Sequence, residues 1–319
     1  MSAVGHSASY GFFHKWDEGA DHDGQDELQW GNGASPFDHD DLPLSALWGR
    51  DPKTWLDATS FAKGGKKPGG GGGGGTGGGG TGGGGGTTDP GIVGTYYAGA
   101  ADGEAGYDIR IDFKGTGWTD GLKKAFTDTA DYFTKVITAD IGGGKYYNNV
   151  YDDDLYMVAE LKTIDGAGGI LGQSGPTAVW SNELTEAGLM QFDTADATNY
   201  LNNGLWDDIV THEMMHVLGF GTLWNYGANP LVPTAGQYIG ANGLAAYQAA
   251  GHPDAAYIPV EVYGGAGTAG AHWSESALGN ELMTPYINGT NYLSSFSVMS
   301  LADLGYQVQP LPWPGNPVA

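Results

Sequence analysis

Cysteine is absent from the 319 residues of this chain. This absence excludes disulfide bonds, thiolate zinc ligands and any latency mechanism in which a cysteine of a pro-segment blocks a metal. No run of eighteen apolar residues occurs, so no membrane-spanning helix is expected. The N-terminus lacks a basic segment followed by an apolar one, so no standard secretory signal is expected.

Basic residues are scarce and unevenly distributed. The formal net charge is -24, and Lys162 is the last lysine or arginine of the chain. Residues 163–319 therefore offer no lysine or arginine to an oxyanion, a nucleic-acid backbone or an anionic lipid. The charge pattern argues against nucleic acid and anionic membranes as partners. Calcium is compatible with so acidic a chain, but no calcium-loop repeat supports it.

The composition changes along the chain and predicts a leader, a linker and one folded domain. Residues 1–63 are polar and are interpreted as a pro-segment or a disordered leader. Residues 64–88 are mostly glycine, which predicts a flexible linker because ordering so much glycine costs much entropy. The folded domain is expected at 89–308, followed by a proline-rich tail at 309–319.

Hydrophobic periodicity predicts both strands and helices in the folded domain. Alternating or short apolar runs predict strands at 107–113, 155–161, 176–180 and 187–192. Apolar residues at three- and four-residue steps predict a helix at 120–139. This order predicts an α+β fold in which helices cover a sheet. The segment 188–192 is a candidate edge strand for pairing with an extended substrate.

The clearest chemical motif is His212-Glu213-x-x-His216. On a helix, residues i and i+4 share a face, so His212 and His216 can bind one zinc ion. Glu213 lies beside them, where its carboxylate can accept a proton from a zinc-bound water. Apolar residues at helical spacing surround the motif, and Gly219 is typical of a helix end. The alternative interpretation is a core helix whose histidines are merely packed.

The start of the same helix also carries sequence signals. Asn202 or Asn203 is expected to cap it, and Asp207 and Asp208 would then lie in its first turns, where the helix dipole favours negative charge.

A catalytic zinc needs three protein ligands and one open position. In one class of zinc proteases the third histidine follows the helix-ending glycine by three residues, but Thr222 stands there in this chain. The remaining candidates are His252, His272, Glu275 and Glu281. A site with two histidines and Glu275 is therefore the main alternative to a three-histidine site.

Three blocks of the chain resemble the leishmanolysin-type metzincins. These are the motif helix ending at Gly219, the pair His272-Trp273 after a long insertion, and Glu281-Leu282-Met283. The segment 298–306 is similar to the final helix of that family and its exit. The resemblance covers roughly residues 90–308 in organisation.

The resemblance implies roles for individual residues. It implies that His212, His216 and His272 ligate zinc, that Glu213 is the general base, and that Met283 forms a hydrophobic floor beneath the ion. It also implies a metzincin-type catalytic domain, in which a twisted mixed sheet carries a backing helix and an active-site helix. The upper subdomain would extend to about residue 221, and a smaller lower subdomain, 222–308, would hold the methionine turn and the final helix.

The predicted function is zinc-dependent endopeptidase activity on protein or peptide substrates. Tyr286, near the methionine turn, is a candidate oxyanion donor, with a packed tyrosine as the alternative. The chain is expected outside the cell or at its surface, exported without a recognisable N-terminal signal. The alternative is an acidic extracellular binding or surface protein with a structural zinc site, against which the intact Glu213 argues.

Overall fold

The computed structural model describes residues 91–100, 105–142, 144–147, 150–168, 170–265 and 267–314. The predicted leader and linker lie outside these residues. None of the described helices is both long enough and apolar enough to cross a membrane.

A five-stranded mixed sheet forms one layer of the fold. Its order is β1-β2-β5-β7-β6, in which β2, β5 and β7 run parallel and β1 and β6 are antiparallel to their neighbours. Two short pairs, β3 with β4 and β8 with β9, lie outside this sheet. The strands are β1 (Ile92–Gly99), β2 (Asp108–Gly115), β3 (Lys145–Tyr147), β4 (Val150–Asp152), β5 (Leu155–Lys162), β6 (Gly172–Val179), β7 (Thr185–Asp193), β8 (Gln237–Tyr238) and β9 (Ile258–Pro259).

Helices pack against the sheet, and five of the six described helices follow β7. They are α1 (Asp120–Val136), α2 (Thr194–Asn203), α3 (Trp206–Val217), α4 (Ala241–Ala249), α5 (Glu275–Leu278) and α6 (Ser295–Leu304). The mixed sheet with several helices agrees with the predicted α+β class.

The main core lies where α1 and α3 meet the sheet. The apolar stripe of α1 is buried, and Phe126 at its centre packs edge-on against Phe113 of β2 and Phe192 of β7. The hydroxyls of Thr129 and Thr211 lie 3.1 Å apart between α1 and α3. Helix α1, which the apolar period predicts, therefore packs against α3.

The predicted cap of the motif helix is wrong. Asn202 and Asn203 belong to α2, a separate helix that ends at Gly204 in a left-handed conformation with φ 74°. The cap position of α3 is Leu205, whose side chain makes no capping hydrogen bond. Asparagine is typical of a helix start, but asparagine followed by glycine is equally typical of a helix end. In this chain Asn203-Gly204 ends α2.

The predicted edge strand is also wrong. β7 lies between β5 and β6, and β6 forms the edge of the sheet. The first half of β6, Gly172-Gln173-Ser174-Gly175, carries no apolar alternation, so the sequence shows only the second half of this strand. A tight turn joins β6 to β7, with Glu183 at a positive φ of 69°.

Two further sets of contacts fix α4 and the segment that follows α6. The Asp303 carboxylate of α6 accepts hydrogen bonds from the backbone N–H groups of Asn242 and Gly243, and so caps α4. Residues 307–313 return to α1, where the Gln309 N–H donates to the carbonyl of Val136 and Trp313 is buried. Part of the segment predicted as a tail is therefore packed on the domain.

Asp193 fixes the loop between β5 and β6. Its buried carboxylate accepts hydrogen bonds from the N–H groups of Ile164, Asp165, Gly166 and Ala195 at 2.7–3.0 Å. Burial alone would raise the pKa of this carboxyl, but the four donors together lower its pKa below the usual value. The ionised form is therefore stabilised by folding.

We expect Asp193→Asn to lower the free energy of unfolding at pH 7 by about 2–3 kcal/mol, because an amide cannot accept from donors on both sides. A carboxyl with a lowered pKa adds stability above its unfolded pKa and loses that contribution as the pH falls through its folded pKa. The difference between mutant and parent should therefore shrink below about pH 4. Urea unfolding of both proteins at several pH values measures this difference in the free energy of unfolding.

Asp120→Asn, at the exposed start of α1, is the control and should change stability by about 0.5 kcal/mol or less. A deficit of Asp193→Asn that stays constant down to pH 2 would contradict the assigned role.

Candidate metal centre

Helix α3 brings three polar side chains into the protein interior. His212, Glu213 and His216 are fully buried, and most of the other residues of the helix are apolar. Residues Ile209 and Val217 pack into the main core and fix the rotation of the helix. The two histidines consequently point away from the core side and towards later segments of the chain, which carry His272 and Leu282.

The chain leaves α3 through two glycines in left-handed conformations, Gly219 with φ 108° and Gly221 with φ 72°. A Cβ atom at Gly221 would lie 2.1 Å from the carbonyl oxygen of Ala271. The start of the predicted insertion therefore lies directly against the residue before His272. Thr222 donates a hydrogen bond to the carbonyl of His216 at 2.8 Å, so it caps the helix end instead of binding metal.

The imidazoles of His212, His216 and His272 converge on one point. Their Nε2 atoms lie 3.0 Å apart between His212 and His216, 3.1 Å between His216 and His272, and 3.3 Å between His212 and His272. Among the described residues, these three form a group of donor atoms that could hold a metal ion.

The other ring nitrogen of each histidine faces a backbone carbonyl. Nδ1 of His212 lies 2.6 Å from the Leu282 oxygen, Nδ1 of His216 lies 2.9 Å from the Phe220 oxygen, and Nδ1 of His272 lies 3.1 Å from the Thr268 oxygen. A carbonyl only accepts, so each Nδ1 carries the proton. Each neutral ring then presents an unprotonated Nε2 to the common point.

Three unprotonated nitrogens cannot hydrogen-bond to one another, so their approach calls for a cation between them. Tetrahedral zinc with Zn–N distances of about 2.0–2.1 Å places its ligands about 3.3 Å apart, close to the separations found here. Burial also lowers the pKa of His212 to about 4 and the pKa of His272 well below its usual value. Both rings are therefore neutral at pH 7, as metal ligands must be.

Glu213 contacts the edge strand of the sheet. The Ser174 hydroxyl of β6 lies 2.5 Å from Oε2 of Glu213 and 2.9 Å from its backbone oxygen. Burial raises the pKa of Glu213 to about 8, although the bond from Ser174 lowers it. A cation held by the neighbouring histidines would lower this pKa and favour the ionised carboxylate, the form that accepts a proton. No sequence motif singles out Ser174, because a lone serine between Gln173 and Gly175 matches no pattern.

Met283 is fully buried and is linked to the segment that carries His272. The Trp273 N–H donates to the Met283 oxygen at 3.0 Å. Tyr286, three residues on, is half exposed, so the alternative of a packed tyrosine does not describe it.

The other candidate ligands do not join the three histidines. The carboxylate of Glu275 lies near Thr284, Asn288 and the Tyr286 backbone, in the loop after Met283, and is not part of the three-histidine group. The ring of His252 stacks on Tyr247 with centroids 4.0 Å apart. Glu281 is buried, but its oxygens accept hydrogen bonds from hydroxyl and backbone N–H groups.

Comparison with known proteins points to one group of enzymes. A leishmanolysin homolog of Crithidia fasciculata is 30% identical over 164 residues, which cover 48% of this chain and 24% of that protein. The chain therefore spans about a quarter of the length of that relative. No family model matches the chain. The similarity supports a leishmanolysin-like relationship and suggests a metallopeptidase.

Proposed function

We propose that this protein is a zinc-dependent endopeptidase of the leishmanolysin-like metzincin type. The observation that carries the proposal is the convergence of three neutral imidazoles beside a buried glutamate on the same helix. We assign His212, His216 and His272 as zinc ligands and Glu213 as the general base. Protein or peptide substrates and a location outside the cell or at its surface belong to the same proposal.

The chemistry is divided between the ion and the side chains. A zinc ion bound here would supply a Lewis acid that polarises the scissile carbonyl and lowers the pKa of a coordinated water. Glu213 takes the proton from the attacking water and passes it to the leaving amine. The Ser174 hydroxyl holds the Glu213 carboxyl from the side of the sheet. Three protein ligands leave one coordination position for the reaction.

The surroundings of the centre suggest how a substrate is held. We assign β6 as the strand that pairs with an extended substrate, because it forms the sheet edge and contacts Glu213 through Ser174. Met283 is proposed as the apolar floor, and Tyr286 remains a candidate oxyanion donor because it is half exposed. In this proposal the upper subdomain ends near residue 221, and residues 222–308 form the lower subdomain.

A structural zinc site is the second candidate, and two observations disfavour it. Structural sites use four protein ligands, whereas the group found among the described residues has three. A structural site also has no use for Glu213, whose burial without ligation costs free energy.

Metal removal tests the proposed function. We expect the full-length protein to cleave casein, and dialysis against a chelator such as 1,10-phenanthroline to reduce the rate to about 1% or less, since the Lewis acid is lost. Re-addition of one equivalent of Zn²⁺ should restore the rate, and Mg²⁺ or Ca²⁺ should not, because imidazole is a poor ligand for both. Cleavage that survives complete removal of the metal would overturn the proposal.

A further inference from the structure

Glu281 is a buried carboxylate in a region without basic side chains. It is fully buried, and the chain contains no lysine or arginine after Lys162. A buried charge is tolerated only when its oxygens are hydrogen-bonded. Here Oε2 accepts from the Met283 N–H at 2.6 Å. Oε1 accepts from Ser294 N–H at 3.0 Å, from Ser294 Oγ at 2.7 Å and from Ser297 Oγ at 2.5 Å.

These bonds close a ring that includes the residue after His272. The Trp273 indole donates to the Ser297 hydroxyl at 2.7 Å, and Ser297 donates to Glu281. On the other side, the Trp273 N–H donates to the Met283 oxygen at 3.0 Å, and the Met283 N–H donates to Glu281. We call these four residues, Trp273, Glu281, Met283 and Ser297, the Glu281 ring.

The Glu281 ring is linked to two of the three histidines. Trp273 directly follows His272 in the chain, and Leu282, between two members of the ring, accepts the hydrogen bond from Nδ1 of His212 at 2.6 Å. His212 and His272 are 60 positions apart in sequence. His216 is held separately by the Phe220 oxygen on its own helix end.

We propose that Glu281 is a positioning residue that fixes His272 relative to His212 and thereby sets the zinc affinity of the centre. It acts through Trp273 and through the 282–283 backbone, and it does not bind the metal itself. The inference rests on the zinc centre of the proposed function. It assigns a purpose to a carboxylate that is costly to bury and that lies outside the three-histidine group.

Glu281→Gln in the full-length protein tests this role. The amide has one accepting oxygen, so its NH2 group must face either the Met283 N–H or the donors of Ser294 and Ser297. We expect the zinc dissociation constant, measured by competition with a chromophoric chelator, to rise about 10–100-fold, the usual cost of losing a partner that orients metal ligands. The visible absorption spectrum of the Co²⁺-substituted protein should shift, because the ligand geometry changes.

Asp303→Asn is the matched control. The Asp303 carboxylate also binds backbone N–H groups, those of Asn242 and Gly243 in α4, and the hydroxyl of Tyr238 in β8. None of these hydrogen bonds involves a histidine or a member of the Glu281 ring. This variant should lose stability. Its zinc dissociation constant should stay within about threefold of the parental value, and its Co²⁺ spectrum should not change. Ser297→Ala removes one ring hydroxyl and should weaken zinc binding by a smaller factor, which keeps the test decisive if Glu281→Gln does not fold.

The possible results distinguish a failure of the Glu281 positioning role from a failure of the proposed peptidase function. Glu281→Gln and Ser297→Ala with parental zinc affinity would overturn the positioning role, as would an equal loss of affinity in Asp303→Asn. A parent chain that binds zinc tightly but cleaves no protein would overturn the peptidase alone. A parent chain that binds no zinc would overturn both.

Discussion

Glu213→Gln is expected to lower kcat/KM for casein cleavage by about 10²–10⁴-fold, the usual contribution of a general acid–base group. Glutamine keeps the shape of the side chain and can still meet the Ser174 hydroxyl, but it cannot take up the proton of the attacking water. The three imidazoles are unchanged, so one zinc ion per chain should be retained. Loss of turnover with retained metal is the signature that separates a base from a ligand.

Initial rates with fluorescently labelled casein and zinc content by atomic emission measure the two quantities on the same sample. Glu183→Gln, in the exposed turn between β6 and β7, is the control and should keep the parental rate and zinc content. A Glu213→Gln variant that cleaves casein at the parental rate would remove the peptidase assignment.

His272→Ala is expected to weaken zinc binding by more than about 100-fold, beyond the cost of disturbing a partner that only orients a ligand. Two imidazoles from one helix would remain, and the ion would lose the one histidine of the three that lies outside that helix. Casein cleavage should be lost together with the metal. The zinc content after gel filtration in metal-free buffer provides the measurement.

Glu275→Ala is the informative companion, because Glu275 was the alternative third ligand from the sequence. Its carboxylate lies near Thr284, Asn288 and the Tyr286 backbone and outside the three-histidine group, so its loss should leave the zinc content unchanged and affect only the loop after Met283. The opposite pattern, in which Glu275→Ala loses zinc and His272→Ala retains it, would replace the three-histidine site with a site of two histidines and one glutamate.

Elements with a clear local period were predictable from the sequence. The helix of the metal motif and the long helix α1 follow from apolar residues three and four positions apart, and β2, β5 and β7 follow from short apolar or alternating runs. Helix α2 is not predictable in this way, because its ten residues are mostly polar and its end, Asn203-Gly204, resembles the start of the next helix. Boundaries depend on backbone conformations that several residue types share.

The residues of the candidate site also fall into those that a sequence pattern identifies and those that it does not. His212, Glu213 and His216 were identified from their spacing alone, because a helix converts a spacing of four into a shared face. Residue types alone leave the third position open among His252, His272, Glu275 and Glu281, and the resemblance to a family favours His272. The residues Ser174 and Ser297 gave no sequence signal, since their contacts join segments far apart in the chain.

The sequence by itself determined the elements with a clear hydrophobic period and the two-histidine motif with its glutamate, because these depend on neighbours two to four residues apart. Only the tertiary structure decided that β6 and not β7 is the sheet edge, and that His272 meets the motif while Glu275 faces another loop. It also decided that Glu281, one of the candidate ligands, instead lies in a ring of hydrogen bonds behind the centre. Strand order and the meeting of distant side chains arise from packing and hydrogen bonding between segments, and no pattern within one segment encodes them.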